Sequence, residues 1–213
     1  MTQQNMNTSY HLRPATLDDA DEIHSIMDTC FQTLEHKEYF ICDDLEYVKN
    51  ILSGHGFGVV ACDENGKIVG NLLVKYPGLN EENLGYDVFV NSIKNNSLPS
   101  SSNDFLATST MSKDYPRHTI PLTQDNLNRV LHMDSASVLP SHRGHGLEQK
   151  MIGFAETLVD TSKYCYSFAT VAPENMASLK SLEKNGYQVL VIKEKYDGVI
   201  RCVMMKVLKL NIY

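Results

Sequence analysis

The chain has 213 residues, of which 42% are hydrophobic and 21% are charged, and its formal net charge is −7 at pH 7. This balance is typical of a globular protein with a real core. The negative net charge argues against nucleic-acid binding, which requires a basic surface, and it fits a cationic partner somewhat better.

Cysteine usage and the N-terminal sequence favour a cytoplasmic location. The five cysteines are scattered without a C-x-x-C pair, which is typical of reduced thiols. Residues 1–9 are polar and lack the apolar stretch of a signal peptide. No segment approaches the roughly 20 apolar residues of a membrane helix, so we expect no membrane association.

The first third of the sequence predicts a strand, two helices and a hairpin. Residues 10–14 form a short strand that ends at a proline, and a helix follows over 15–31. Apolar residues at helical spacing predict a second helix over 43–52. Residues 57–62 and 68–75 are predicted to pair through an Asp-Glu-Asn-Gly turn.

Residues 79–128 are predicted to be an insertion within a single domain that spans 1–213. The periodic pattern weakens there, and the Asn- and Ser-rich stretch 95–104 contains Pro99, so a loop is the simplest interpretation. Long loops inside a domain tend to be functional or mobile. Two interpretations stay open. The insertion is either a lid over an acceptor site or a surface loop without a functional role.

The rest of the sequence predicts alternating strands and helices, followed by a hairpin. In chain order these are a strand over 130–139, a helix over 146–159, a strand over 164–171, a helix over 173–185 and hairpin strands over 187–193 and 199–208. A proline at the start and Asn-Gly at the end support the helix over 173–185. The sequence shows no internal repeat.

The most informative segment, residues 137–147, reads SVLPSHRGHGL, so a strand end leads through a basic glycine loop into a helix. The first amides of a helix have no intrahelical acceptor, and glycines at 144 and 146 leave them accessible to an anion. Arg143 adds charge-assisted hydrogen bonds. The chemistry therefore predicts an anionic ligand, above all a phosphate. A tight structural turn is the alternative, since the segment matches neither the dinucleotide fingerprint nor the P-loop.

This segment resembles the acetyl-CoA loop of the GNAT N-acetyltransferase superfamily, whose pattern is Gln/Arg-x-x-Gly-x-Gly/Ala after a Val-x-Pro strand end. Gly144 and Gly146 match both glycines, and Val138 and Pro140 match the strand end. Ser141 departs from the pattern, because the family usually has Gln or Arg there.

Further segments extend the resemblance over nearly the whole chain except the insertion. Residues 170–178 (TVAPENMAS) and 183–187 (EKNGY) are similar to the family's later strand and helix, and 13–20 to its first strand and helix. The resemblance implies a GNAT-like acyl-CoA N-acyltransferase fold of the α/β class. That fold has a mixed, mostly antiparallel sheet of about six to seven strands flanked by helices, with the insertion between strands 3 and 4.

The resemblance also implies acetyl-CoA as cosubstrate. In the family the fourth and fifth strands splay apart, the pantetheine arm pairs with exposed strand backbone and the pyrophosphate rests on the glycine loop. The implied cofactor-binding residues are Ser137, Val138, Leu139, His142, Arg143, Gly144, His145, Gly146, Leu147, Asn175 and Ser178. For Asn175, local bonds to the helix backbone are the alternative. His142 and His145 lack the third ligand of a metal site, so we expect no metal.

Asp134 and His132 are the candidate catalytic residues, because the acceptor ammonium must lose a proton before it can attack a thioester. They lie two residues apart on a predicted strand and are expected to share one face. The alternative for Asp134 is a structural carboxylate that is hydrogen-bonded within the fold. The alternative for His132 is an ordinary strand histidine.

The general acid of the family has no counterpart at its usual position. Many members carry a tyrosine seven residues after the helix asparagine, where this chain has Leu182. A CoA thiolate is a tolerable leaving group, so transfer can proceed without an acid. Tyr187 and Tyr166 are alternative acids, although core packing is the simpler explanation of both.

The resemblance implies an enzyme that transfers an acetyl group from acetyl-CoA to a primary amine of a small molecule or peptide by direct attack. Two alternatives stay open. One is a non-catalytic acyl-CoA-binding sensor, suggested by Leu182, and the other is a phosphate-ligand binding protein unrelated to CoA. The sequence leaves a homodimer open as well as a monomer.

Overall fold

The described residues, 9–80, 82–87, 124–196 and 198–208 of a computed structural model, include seven β-strands and four α-helices that are described over their full length. In chain order they are β1 (His11–Pro14), α1 (Ala20–Gln32), α2 (Leu45–Asn50), β2 (Gly56–Cys62), β3 (Ile68–Lys75), β4 (Val130–Val138), α3 (Leu147–Leu158), β5 (Tyr166–Val171), α4 (Met176–Lys184), β6 (Gln188–Lys195) and β7 (Val199–Val207). The predicted order is confirmed. The polar residues 1–8 and the loop predicted over 95–104 lie outside the described residues.

The seven strands form one mixed sheet in the order β1-β2-β3-β4-β5-β7-β6. Strand β2 is antiparallel to β1 and β3, and β7 is antiparallel to β5 and β6. The parallel ladder between β4 and β5 is short, with Val130, Leu131 and His132 opposite Tyr166, Ser167 and Phe168. This topology confirms the predicted mixed, mostly antiparallel sheet, with the insertion between β3 and β4.

Two compact units divide the chain, and one boundary falls inside β4. The first unit comprises Met1–Lys75 and Met133–Val159, and the second comprises Tyr76–His132 and Asp160–Tyr213. The glycine loop and Asp134 therefore belong to the first unit. None of the helices in the described ranges has the length and apolar character that crossing a bilayer requires.

In the first unit, helix α1 buries an apolar face that includes Ile23 and Met27. The Asp19 carboxylate fixes the turn before this helix. It accepts the Thr16 N–H at 2.7 Å and two bonds from the Arg13 guanidinium at 2.7 and 2.8 Å. The hydrogen bonds from Arg13 lower the pKa of Asp19 to about 2, against the opposing effect of burial. The pair therefore ties β1 to the start of α1.

Strands β3 and β4 approach each other closely at Gly70. A Cβ atom there would lie 2.9 Å from the Ser137 carbonyl oxygen, so any larger residue would push the strands apart. Next to it, the Leu139 N–H donates to the Val69 carbonyl at 2.9 Å. Gly70 thus permits the contact that fixes where β4 ends and the glycine loop begins.

The second unit has a core of its own, built around Leu127, Phe168 and Val203. In the same unit, the partly buried Asp87 carboxylate accepts hydrogen bonds from the ammonium groups of Lys193, at 2.8 Å, and Lys195. These ion pairs tie the segment after β3 to strand β6.

Two helices begin later than the sequence predicts. The segment predicted to be helical from residue 15 starts with a 3-10 turn, Leu17–Asp19, before α1 begins at Ala20. The helix predicted from residue 173 begins at Met176, because Asn175 is its N-cap and has non-helical φ and ψ of −77° and 70°. A capping side chain satisfies the first amides of a helix and so fixes where it starts.

Candidate functional site

The glycine loop, residues 140–146, joins β4 to α3. Pro140–His142 form a 3-10 turn, and Arg143 returns to extended backbone. Gly144 and Gly146 then adopt positive φ values of +83° and +68°, and Gly146 is the N-cap of α3. Residues with a Cβ avoid this left-handed region because the Cβ approaches the following carbonyl oxygen. The turn itself therefore requires both glycines, with or without a ligand.

The space beside both glycines is open. A Cβ at Gly144 or Gly146 would meet no heavy atom within 4 Å, and residues 143–146 are exposed. The loop leads directly into α3, whose first amides have no intrahelical acceptor and carry partial positive charge. The loop is therefore an accessible helix N-terminus with the geometry and polarity to bind an anion.

Side chains of the loop are anchored by neighbouring residues. The Arg143 Nε donates to the Val138 carbonyl at 3.1 Å. The Tyr10 hydroxyl is hydrogen-bonded to His142 Nδ1 at 3.0 Å, and the Tyr10 ring lies 5.3 Å from the His145 ring. Tyr10 thus holds both histidines beside the glycines.

The Ser137 hydroxyl at the end of β4 is buried beside the Cys30 thiol, which is near enough to interact with it. Among the described residues the hydroxyl makes no hydrogen bond of regular geometry, which leaves part of its polar capacity unused. The Val138 carbonyl accepts from Arg143 and, at 3.3 Å, from the Cys30 thiol. Burial raises the pKa of that thiol, so it acts as a neutral donor. The Leu139 N–H is used by β3, as described above.

The structure gives Leu147, Asn175 and Ser178 local roles. The Leu147 side chain is buried, so only its backbone faces the loop. In the second unit, the Asn175 Oδ1 accepts the Ser178 N–H at 3.3 Å as the N-cap of α4. This is the local backbone bond that the sequence left open as an alternative for Asn175. The assignment of both residues to acetyl-CoA stays a prediction.

Asp134 lies exposed on β4 between buried neighbours. The Tyr47 hydroxyl, from α2, donates to its Oδ2 at 2.7 Å. On the next residue of the strand, the Ser135 hydroxyl donates to the Asp43 carboxylate at 3.0 Å. Asp134 is therefore a solvent-accessible carboxylate that a tyrosine holds by a short hydrogen bond.

An acidic hollow lies beside this tyrosine. It is open to solvent, has a volume of about 420 Å³ and is lined by Asp43, Asp44, Glu46, Tyr47 and Asn50. Burial raises the pKa of Asp43, although the bond from Ser135 and the charge of Lys75 act against the shift. Three carboxylates in one hollow favour a cationic ligand.

His132 has a different environment from Asp134. It is only 5% exposed, and its Nε2 accepts the Leu84 N–H at 3.1 Å within the second unit. An accepting Nε2 carries no proton, so that nitrogen is engaged with the backbone of the segment after β3. The bond matches the alternative of an ordinary strand histidine.

The side chain at position 182, where many family members have a tyrosine, is buried. Leu182 is 4% exposed and belongs to the apolar face of α4. Tyr187 is 2% exposed, and its hydroxyl is hydrogen-bonded to Ser167 at 2.6 Å. Burial raises the pKa of Tyr166. The packing of Tyr187 matches the simpler explanation that the sequence left open for it.

Tyr47 and Asp43 could not be predicted as neighbours of Asp134 and Ser135 from the sequence. They lie in the segment predicted as a helix over 43–52, and nothing local distinguishes them from other polar helix residues. The contact between Tyr47 and Asp134 joins residues separated by 87 positions. A contact between residues so far apart in sequence forms only in the folded chain.

The comparisons with known proteins identify the fold. No protein-family model and no curated protein matches the sequence. A Salmonella typhimurium protein assigned as an acetyltransferase, solved with its cofactor acetyl-CoA, superposes with a TM-score of 0.59 at 14% identity, covering 96% of this chain and 97% of that chain. An N-acetyltransferase from Staphylococcus aureus Mu50 gives 0.59 at 13% identity, covering 94% and 99%.

A third similar structure is the ribosomal-protein-S18-alanine N-acetyltransferase from Escherichia coli. Its TM-score is 0.59 at 10% identity, and the match covers 96% of this chain and 99% of that chain. At identities this low, the similarity shows a shared fold.

Proposed function

We propose that this chain, whose fold is that of the GNAT acetyltransferases, binds acetyl-CoA and transfers the acetyl group to a primary amine of a small molecule or peptide. The observation that carries the proposal is the glycine loop. Two left-handed glycines form an open, exposed loop at the start of α3, in a fold that acetyltransferases share. The sequence motif and the loop geometry thus support the same anionic ligand.

The loop residues fit the chemistry of acetyl-CoA. Its pyrophosphate is an anion, and the first turn of α3 offers backbone N–H groups and positive polarity beside Gly144 and Gly146. The buried Ser137 hydroxyl, which has the Cys30 thiol beside it and no hydrogen bond of regular geometry among the described residues, would gain a stronger polar partner. Bound acetyl-CoA supplies an activated thioester. This chain supplies the binding surface and the handling of one proton.

The acidic hollow supports a cationic acceptor. Its three carboxylates lie beside Tyr47, which is hydrogen-bonded to Asp134, so negative charge extends up to the proposed base. A bound ammonium would also stabilise the charged form of Asp43, whose carboxyl burial disfavours. An amine with a second positive charge would satisfy the hollow and present its reacting nitrogen to Asp134.

Asp134 is the proposed general base, because it is exposed and held in place. It takes one proton from the acceptor nitrogen. The neutral nitrogen attacks the thioester carbonyl carbon, so an N–C bond forms and the C–S bond breaks. The acylated nitrogen loses its second proton to the CoA thiolate by way of water, and Asp134 returns the first proton to solvent. His132 is the weaker candidate, since its Nε2 bonds to the Leu84 backbone. Leu182 offers no proton, so the proposed reaction uses no general acid from α4.

The test is acetyl-CoA binding followed by turnover. A ligand that binds only the folded state at 100 times its Kd stabilises it by about 2.7 kcal/mol. We therefore expect a clear rise in Tm with acetyl-CoA, and release of CoA thiol with amines in a panel of monoamines, diamines and short peptides. No binding of acetyl-CoA by melting or calorimetry would refute the proposal, and binding of nucleotides in its place would favour the unrelated phosphate-binding protein.

A non-catalytic sensor is the second candidate, favoured by the buried Leu182 at the position of the usual acid. It predicts acetyl-CoA binding without CoA release for any amine in the panel. The same two measurements therefore separate an enzyme from a sensor.

A further inference from the structure

The turn before the two loop glycines uses several of its own hydrogen-bond donors. The His142 N–H donates to the Leu139 carbonyl at 2.8 Å, and the Arg143 N–H donates to the Pro140 carbonyl at 3.3 Å. The Arg143 Nε donates to the Val138 carbonyl at 3.1 Å. Because the backbone N–H of His142 is already engaged, the group that this residue can offer to an anion is its imidazole ring.

Tyr10, the residue before β1, holds that ring from a distant part of the sequence. Its hydroxyl is hydrogen-bonded to His142 Nδ1 at 3.0 Å, across 132 positions of the chain. The two rings meet edge to face, with centroids 5.8 Å apart and an interplanar angle of 80°. The other side of the contact is His145, whose ring centroid lies 5.3 Å from that of Tyr10. The half-buried Tyr10 therefore restricts the rotation of His142.

The bond from Tyr10 also selects where the imidazole carries its proton. In a neutral imidazole one nitrogen accepts a hydrogen bond and the other donates, and the bond made by one nitrogen fixes the role of the other. With Nδ1 accepting the tyrosine O–H, the proton of His142 is on Nε2. The Asp63 carboxylate is close enough for its charge to interact with His142, and a positively charged ring would likewise carry a proton on Nε2.

We infer that Tyr10 is a positioning residue for the cofactor: it holds His142 so that the Nε2–H donates to the pyrophosphate of acetyl-CoA. The inference rests on the proposed function. A hydrogen bond to a charged phosphate oxygen is stronger than one between neutral groups, so the orientation of this donor affects the affinity. Tyr10 lies outside all the segments by which the sequence resembles the acetyltransferases, and only the folded chain brings it to the loop.

The first experiment is a double-mutant cycle on the Kd for acetyl-CoA, measured by calorimetric titration of Tyr10→Phe, His142→Ala and the double variant. Phenylalanine keeps the ring beside both histidines and removes only the hydroxyl. We expect Tyr10→Phe to raise Kd about threefold to fivefold and His142→Ala about tenfold, since each affects one hydrogen bond to a charged group. In the His142→Ala background, Tyr10→Phe should change Kd less than about twofold, because the ring that it orients is gone.

The second experiment observes the proton directly. Nitrogen-15 spectra of the imidazole side chains, with the His142 signals identified by their loss in His142→Ala, report which ring nitrogen is protonated. We expect a protonated Nε2 in the wild type bound to acetyl-CoA. In Tyr10→Phe the neutral ring should populate both tautomers. A wild-type ring with its proton on Nδ1 alone overturns the inference, whatever the stability of the variants.

Two controls lack any contact with the loop. Tyr86→Phe removes a hydroxyl that bonds the Leu79 carbonyl, and His55→Gln removes an imidazole whose Nδ1 bonds the Asn50 carbonyl. Both should leave the Kd for acetyl-CoA unchanged. An unchanged Kd in folded Tyr10→Phe, or an equal effect of that change in both backgrounds, overturns the inference and leaves acetyl-CoA binding standing. A wild-type chain that does not bind acetyl-CoA overturns the proposed function and this inference together.

Discussion

Gly144 in the glycine loop and Gly66 in the turn between β2 and β3 have nearly the same φ, +83° and +82°, and a Cβ at either would meet open space. Because φ is positive at both positions, a residue with a Cβ carries a backbone cost at either one, of about 1–2 kcal/mol. The two glycines differ in their surroundings, because only Gly144 precedes the N-terminus of α3.

The shared positive φ of Gly144 and Gly66 gives the first prediction. Gly144→Val should weaken acetyl-CoA binding at least tenfold, because the side chain extends into the space where the phosphate approaches the amides of α3. Gly66→Val should lower Tm by a similar amount and leave the affinity unchanged. Calorimetric titration of both folded variants measures the difference. Equal affinities would place the pyrophosphate somewhere other than this loop.

The second prediction concerns Asp134. Asp134→Asn should lower kcat about 10²–10⁴-fold, the usual contribution of general acid–base catalysis, while the Kd for acetyl-CoA changes little. Steady-state kinetics at saturating acetyl-CoA measures the loss. Asp28→Asn, which removes an exposed carboxylate from α1, is the control and should retain full activity. A large loss in His132→Gln with an active Asp134→Asn would transfer the role of base to the histidine.

The third prediction concerns Leu182. Because the side chain is buried, Leu182→Ala should lower the free energy of unfolding by about 2–5 kcal/mol, and Leu182→Met by less than about 1.5 kcal/mol. Neither variant should lower kcat by the 10²-fold or more that loss of a general acid would cause, since leucine has no proton to give. Urea unfolding and kcat at saturating acetyl-CoA test the two parts separately.

A relocated tyrosine acid would give a different result. If Tyr166→Phe or Tyr187→Phe removed most of kcat while acetyl-CoA binding persisted, that tyrosine would be the acid. For Tyr187→Phe we expect instead a loss of about 1 kcal/mol of stability, because its hydroxyl bonds Ser167 inside the core.

The fourth prediction is a pH dependence of stability from Asp19. Its pKa is lowered from 3.8 to about 2 by the bonds from Arg13, so the folded state favours the charged carboxylate. The contribution is fully present above the unfolded pKa and is lost as the pH falls from about 4 towards 2. Since the Arg13 side chain is 37% exposed, solvent screening reduces the gain to about 1 kcal/mol.

Asp19→Asn should therefore destabilise the protein at pH 7, and the difference from wild type should shrink as the pH approaches 2. Arg13→Gln removes the guanidinium that lowers the Asp19 pKa and should abolish most of this pH dependence. Urea unfolding at several pH values between 2 and 7 measures both variants. A constant difference at every pH would show that the ion pair has no net effect on stability.

Local patterns in the sequence determined the order of the elements and the glycine loop. Alternation, helical spacing and turn residues act over a few positions, so the hairpin of β2 and β3 and the start of α3 could be predicted without long-range information. The exact start of α4 could not, because Pro173 and Asn175 both suit a helix start and the capping bond to Ser178 selects the later one.

The environments of the predicted catalytic residues depended on the tertiary structure. Asp134 and His132 are equivalent in the sequence pattern, two positions apart on one strand. In the fold, His132 is buried against the Leu84 backbone, and Asp134 is exposed and bonded to Tyr47. Burial and partners are set by segments that are distant in sequence. Local sequence patterns could therefore predict that Asp134 and His132 lie on one strand, whereas their exposure and partners required the folded chain, because hydrogen bonds between distant segments form only when the chain folds.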